Sequence, residues 1–120
     1  MKEVSYFDIL RTKMDKYAHG VYGLTRKFPK DELYGATSQL RRAALLVVLN
    51  YIEGFARNKR AVKKNFWEIS YGSLKESQYL LDFSREENYI SEQECKQIIE
   101  VADEIGAMLW RAIQSLKIQD

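Results

Sequence analysis

The chain has 120 residues, 46% of them apolar and 30% charged, with one proline and one cysteine. This is the make-up of a single ordinary globular domain, not of a disordered or collagen-like chain, and so little proline favours helices over turn-rich β folds. The longest unbroken apolar run, Ala43 to Leu49, is seven residues against about 20 for a membrane span, and a lone Cys95 excludes an internal disulfide or a multi-cysteine metal site.

The opening MKEVSYFDIL contains no apolar signal core, so a cytoplasmic chain is expected. Net charge is only +2, yet residues 1–64 carry +8 and residues 65–120 carry −6. That asymmetry points either to a polyanionic partner for the first half or to unlike surfaces that associate.

Phe7, Leu10, Met14, Tyr17, Val21, Leu24 and Phe28 repeat at alternating spacings of three and four, one apolar stripe along a first helix of about six turns. Pro29 ends it, because the residue before a proline avoids helical geometry, and Pro29, Asp31 and Glu32 suit the start of the next helix. That second helix is expected over about 31–56, with Leu33, Leu40, Ala44, Val47, Tyr51 and Phe55 on one stripe. Ala43, Leu46, Leu49 and Ile52 extend its apolar surface, so it is expected to be covered from more than one side. A polar RNKR connection leads to a third helix, about 61–86, whose core face is expected to carry Trp67, Tyr71, Leu74, Gln78 and Leu81. Asn88 suits a left-handed cap. Ser91 and Glu94 then form a capping box, flanked by Ile90 and Cys95 as a hydrophobic staple. The fourth helix, about 91–117, carries Ile98, Ala102, Ile105, Leu109, Ala112 and Leu116. With the first helix over about 4–27, the expectation is one all-α domain spanning 1–120, an antiparallel up-down-up-down four-helix bundle. Six glycines fall inside these patterns; close backbone approach is expected at Gly20 and Gly23.

Catalytic chemistry finds little support. His19 is the only histidine, and no Glu lies three residues before it as a bundle di-iron site requires. Zinc fails on ligand number. Arg11 precedes His19 by eight positions, too far for the helical ribonucleases that place the pair four to six apart. Ser70, Ser73 and Ser77 have no histidine nearby in sequence, and Cys95 reads as a packing residue. No metal or cofactor is expected, and the chain reads as a non-enzyme.

The basic run RNKRAVKK is the stronger lead. Arg57, Lys59, Arg60, Lys63 and Lys64 straddle a helix–helix turn and would project from one end of the bundle, opposite Arg26, Lys27 and Lys30. Five phosphate contacts there would give a salt slope of about −4 to −5 per subunit. The aromatic residues fall mostly on the stripes and read as core, not as platforms for bases. Arg41 and Arg42, about 100° apart on a helix, cannot face one neighbour; one is expected to pair with Glu53 or Glu76 as a buried acid, the other to face an assembly interface.

The segment from Val21 to Arg57 carries Tyr22, Leu24, Thr25, Phe28 and Pro29, then Glu32, Tyr34 and Gly35, then QLRRAA from Gln39 to Ala44, then Asn50, Glu53, Gly54 and Arg57. With Phe66, Gly72, Ser73, Leu74 and Glu76 further on, it resembles the four-helix-bundle proteins encoded by intervening sequences of bacterial 23S rRNA genes. The likeness runs over about residues 6–116. It implies a homopentamer and kinship with the accessory variability proteins of diversity-generating retroelements, which bind a reverse transcriptase and its RNA through a basic surface. Arg41, Arg42, Glu53, Gly54 and Glu76 are then expected to serve structure or interface, and Arg57, Lys59, Arg60, Lys63 and Lys64 to hold RNA or DNA. The expected function is a non-catalytic nucleic-acid-binding accessory protein. The alternative is a protein-interaction module whose basic end meets an acidic protein surface. No membrane partner is expected.

Overall fold

The structure, a computed structural model, describes residues 5–116; the expected helix limits at residues 4 and 117 lie outside them. The amphipathic stripes fold into α1 (Tyr6–Thr25), α2 (Ser38–Phe55), α3 (Arg60–Glu86) and α4 (Glu92–Ser115), with no strand among the described residues. Each helix packs against two others in the ring α1, α2, α3, α4. The start of α1 meets the ends of α2 and α4: the Tyr51 hydroxyl donates to the Phe7 carbonyl at 3.3 Å and the Tyr6 hydroxyl to the Met108 carbonyl at 2.7 Å. Consecutive helices therefore run antiparallel, which short connections between amphipathic helices favour.

Leu10, Met14, Tyr17 and Val21 of α1, Leu40, Ala44, Val47 and Tyr51 of α2, and Ile105 and Leu109 of α4 are buried in one core. Tyr17 crosses its middle, its hydroxyl 2.7 Å from Ser77 Oγ on the diagonally opposite α3. Burial raises the Tyr17 phenol above its ordinary range, Ser77 opposing the shift, so the group stays neutral.

The second helix departs from the continuous 31–56 rod that its periodicity suggests. Lys30–Glu32 form a 3₁₀ turn and Leu33–Thr37 a π-helical turn before α2 proper begins. The helical path breaks at Gly35, whose φ of −113° and ψ of −113° are not helical, and beside it the Glu32 carboxylate accepts the Ala36 N–H at 2.9 Å in place of a backbone carbonyl. Gly35 lies under this carboxylate, and a Cβ there would stand 2.8 Å from Glu32 Oε2. Leu33, placed on the core stripe by spacing, is consequently exposed.

The core face of α3 is also turned from expectation. Trp67, Leu74 and Leu81 are buried, but beside them lie Ser70, Ser73, Ser77 and Ser84, whereas Gln78 reaches Asp103 at the surface. Hydroxyls that return to the backbone, Ser70 to the Val47 carbonyl at 2.6 Å and Ser84 to the Leu80 carbonyl at 2.7 Å, let serine act as a small core residue. Of the two glycines expected at close approaches, Gly20 has one, since a Cβ would lie 2.8 Å from Ile98 Cδ1; at Gly23 nothing stands within 4 Å.

The α3–α4 connection follows local chemistry. Asn88 has φ 64°, and the Tyr89 and Asn88 N–H groups bond to the Ser84 and Arg85 carbonyls at 2.8 and 3.0 Å, a Schellman closure. Ser91 and Glu94 exchange both bonds of the capping box at 3.0 Å. Ile90 and Cys95 are buried, and burial pushes the Cys95 thiol up, with the nearby Asp82 carboxylate adding to the shift. Glu94 also pairs with Lys27 and Glu104 with Lys13, tying α4 to α1.

The Lys27 hydrogen bond, then the Ser91 N–H, hold Glu94 below the usual carboxylate value; Lys13 does the same for Glu104. A pKa depressed on folding stabilises the protein above the unfolded carboxylate value, and the benefit is lost as pH falls through the folded one. Urea unfolding should therefore show stability falling as pH drops below about 4.5, with a shallower fall in Glu94→Gln. Equal slopes would mean that the pair contributes nothing.

Candidate nucleic-acid interface

The basic turn lies where α2 ends against α3. Gly54, the penultimate residue of α2, is buried beneath the Trp67 indole; a Cβ there would meet Trp67 Cδ1 at 2.6 Å, Nε1 at 2.7 Å and the Lys63 carbonyl at 3.1 Å. Because glycine leaves that room, Trp67 stacks on Tyr51 with ring centroids 5.5 Å apart and donates its N–H to the Tyr51 carbonyl at 3.1 Å. The chain turns at Ala56–Lys59 directly beyond this contact, and Lys59 is the N-cap of α3.

The five basic residues do not share one environment. Arg57 pairs with Glu53 one turn back and lies over the Phe66 ring, 5.2 Å from its centroid. Lys63 is half-buried; its ammonium sits 3.4 Å from the Phe55 carbonyl and over the rings of Phe55 and Trp67, 5.3 and 5.5 Å from their centroids. Arg60 and Lys59 are exposed and Lys64 half-buried. Lys59 and Lys64 enter no ion pair among the described residues. The first turn of α3 holds no acid, and no side chain caps it.

Arg41 and Arg42 lie elsewhere, and neither has the carboxylate partner expected from sequence. The Arg41 Nε donates to Thr25 Oγ1 at 2.8 Å, and its guanidinium covers the Tyr22 ring, 4.6 Å from the centroid. Rotation along α2 turns Arg41 toward α1, and Glu53 stands about 18 Å further along the axis. Arg42 is exposed beside Leu45 and Leu49. Glu53 and Glu76, expected as buried acids, are both exposed. Gly54 is the place where α2 admits Trp67.

Sequence reasoning missed Phe55. Its stripe position suggests core, yet as the last residue of α2 it is 52% exposed, with the Phe7 and Tyr51 rings against it at centroid distances of 5.7 and 6.2 Å. Its place on the last turn, next to the basic run, is the signal that could have found it. Phe55 walls a recess of 190 Å³ between the start of α1 and the end of α2, lined also by Phe7, Asp8, Arg11, Tyr51 and Ile52.

Elsewhere His19 is exposed, 3.5 Å from Asp15. The Ser77 and Ser70 hydroxyls are buried against backbone carbonyls. Among the described residues no group of three or more His, Cys, Asp or Glu could hold a metal ion, and no helix is long and apolar enough to cross a membrane.

With this geometry in hand, known proteins place the chain. A family model described as 23S rRNA-intervening sequence protein matches residues 9–111. The crystal structure of a protein of unknown function from the S23 ribosomal protein family of Bacteroides thetaiotaomicron superposes with a TM-score of 0.85 at 19% identity, covering 92% of this chain and 99% of that one. It is similar in fold. None of the curated proteins matches the sequence.

Gly54→Ala gains about 1 kcal/mol of helix propensity but overpacks a rigid indole and a backbone carbonyl at about 1–3 kcal/mol. A net loss of stability in urea unfolding, with altered Trp67 fluorescence, is expected. Gly23→Ala, which meets nothing, should instead stabilise by up to about 1 kcal/mol.

Proposed function

The chain belongs to the 23S rRNA-intervening sequence protein family, and from that premise we propose that it is a non-catalytic, cytoplasmic, nucleic-acid-binding scaffold that works as a closed ring of identical copies. The observation that carries this reading is the contrast between two helix starts. α4 opens with Glu92, Glu94 and a capping box, as a helix dipole favours. α3 opens with Lys59, Arg60, Lys63 and Lys64 and no acid in its first turn. Cations crowded on a positive dipole end oppose folding of the isolated chain and favour a bound phosphate. Contacts of this kind grip the backbone without reading bases, so low sequence specificity follows.

Ring formation is supported by apolar surface that one copy leaves open. Leu49 on α2 is 54% exposed and Ile69 on α3 45%. With Val62, 36% exposed, they are apolar surface that a second copy would cover. Five copies, the number the family resemblance implies, would repeat the cationic turn fivefold and raise avidity for a long polyanion. The likeness to accessory variability proteins makes a retroelement reverse transcriptase and its template RNA the first partner to try. The second reading is a docking module for an acidic protein surface, favoured by the pairing of Lys13 and Lys27 with acidic residues of α4 within one copy.

Fluorescence anisotropy with a nucleic-acid duplex at several salt concentrations should give a log–log slope of about −4 to −5 per copy, and neutralising Arg57, Lys59, Arg60, Lys63 and Lys64 together should abolish most of it. Affinity indifferent to salt and to those changes would overturn nucleic-acid binding and leave the docking module. Sedimentation should find five chain masses for the wild type, and a lone helical subunit for Leu49→Glu with Ile69→Glu; a wild type that sediments as one chain would overturn the ring.

A further inference from the structure

The recess beside Phe55 carries the nucleic-acid reading further. Its volume of 190 Å³ is below the about 300 Å³ at which sites for drug-sized ligands begin, so it admits one flat ring. Its walls are Phe7, Phe55, Tyr51 and Ile52, and two charged groups stand among them, Asp8 and Arg11. Neither is in an ion pair among the described residues. Phe55 is shared between this recess and the basic turn: Lys63 Nζ is 5.3 Å from the centroid of the same ring. An aromatic wall and an acceptor thus stand with one cation in the lining, Arg11, and a second, Lys63, against the Phe55 ring.

We propose that this recess receives an unpaired nucleobase of a single strand, stacked on Phe55, with Arg11 and Lys63 holding the phosphates on either side. The inference rests on the nucleic-acid reading above and adds a preference for single strands over duplexes. A duplex keeps its bases stacked and offers the basic turn only phosphates, whereas a single strand can lay a base face on an aromatic ring at no cost in pairing. Asp8 is placed to accept from an exocyclic amino group, as carboxylates do from cytosine. Ring and carboxylate are indifferent to the sugar, so single-stranded RNA and DNA both fit.

The test is anisotropy of the full chain with a short cytosine-rich single strand, as RNA and as DNA, and with the corresponding duplex. Phe55→Ala should weaken single-strand binding about tenfold and leave duplex binding and the salt slope unchanged; Phe55→Trp should retain it. A 2-aminopurine in the strand should be quenched by the wild type and by Phe55→Trp, and not by Phe55→Ala, with circular dichroism confirming that all three are folded. Salt-dependent binding that ignores Phe55, or a loss equal for single strand and duplex, would overturn the recess while leaving the charge reading intact. A wild type that binds neither form would overturn both.

Discussion

How closely α2 and α3 can approach governs most of this molecule. Gly54 admits the edge of Trp67 where any side chain would collide, and further along the seam Ser70 meets the Val47 carbonyl at 2.6 Å. Small residues at these places bring one helix onto the backbone of the other, and the dense packing that results holds the connecting turn short. The position of the basic run follows from this contact. Trp67 is held by Tyr51, Lys63 rests over Trp67, and the cations extend from a rigid base.

Charge then separates the two ends of the bundle. At the α1–α2 and α3–α4 connections, Lys27 is matched by Glu94 and the Phe28 and Tyr89 rings pack with centroids 5.4 Å apart, while Arg26, Lys30 and Tyr34 are exposed. At the other end Arg57 pairs with Glu53, Lys59 and Lys64 enter no ion pair among the described residues, and Phe55 stands half open beside them. Positive charge retained at a helix start is costly for the isolated chain. The opposite corner, where Arg41 grips Thr25 and Tyr22, uses its guanidinium to join α1 to α2.

What the sequence determined by itself is everything whose cause lies within a few residues. The α1 and α4 stripes, the left-handed Asn88 and the Ser91–Glu94 box are each read from neighbours along the chain, because helix periodicity and capping are local. The same holds for the clustering of Arg57 to Lys64 at one turn. What only the tertiary structure decided is everything that depends on which distant residue arrives. At the break at Gly35 the Glu32 carboxylate accepts the Ala36 N–H in place of a backbone carbonyl. Serines, polar by composition, become core on α3 once a carbonyl is supplied from α2 or from their own helix. Arg41 loses its expected acid because its side of α2 faces α1, and Phe55, the last residue of α2, packs on Phe7 and Tyr51 yet stays half exposed. Spacing gives the direction of a side chain around its own helix, but burial is set by the neighbour opposite, and no local pattern contains that neighbour.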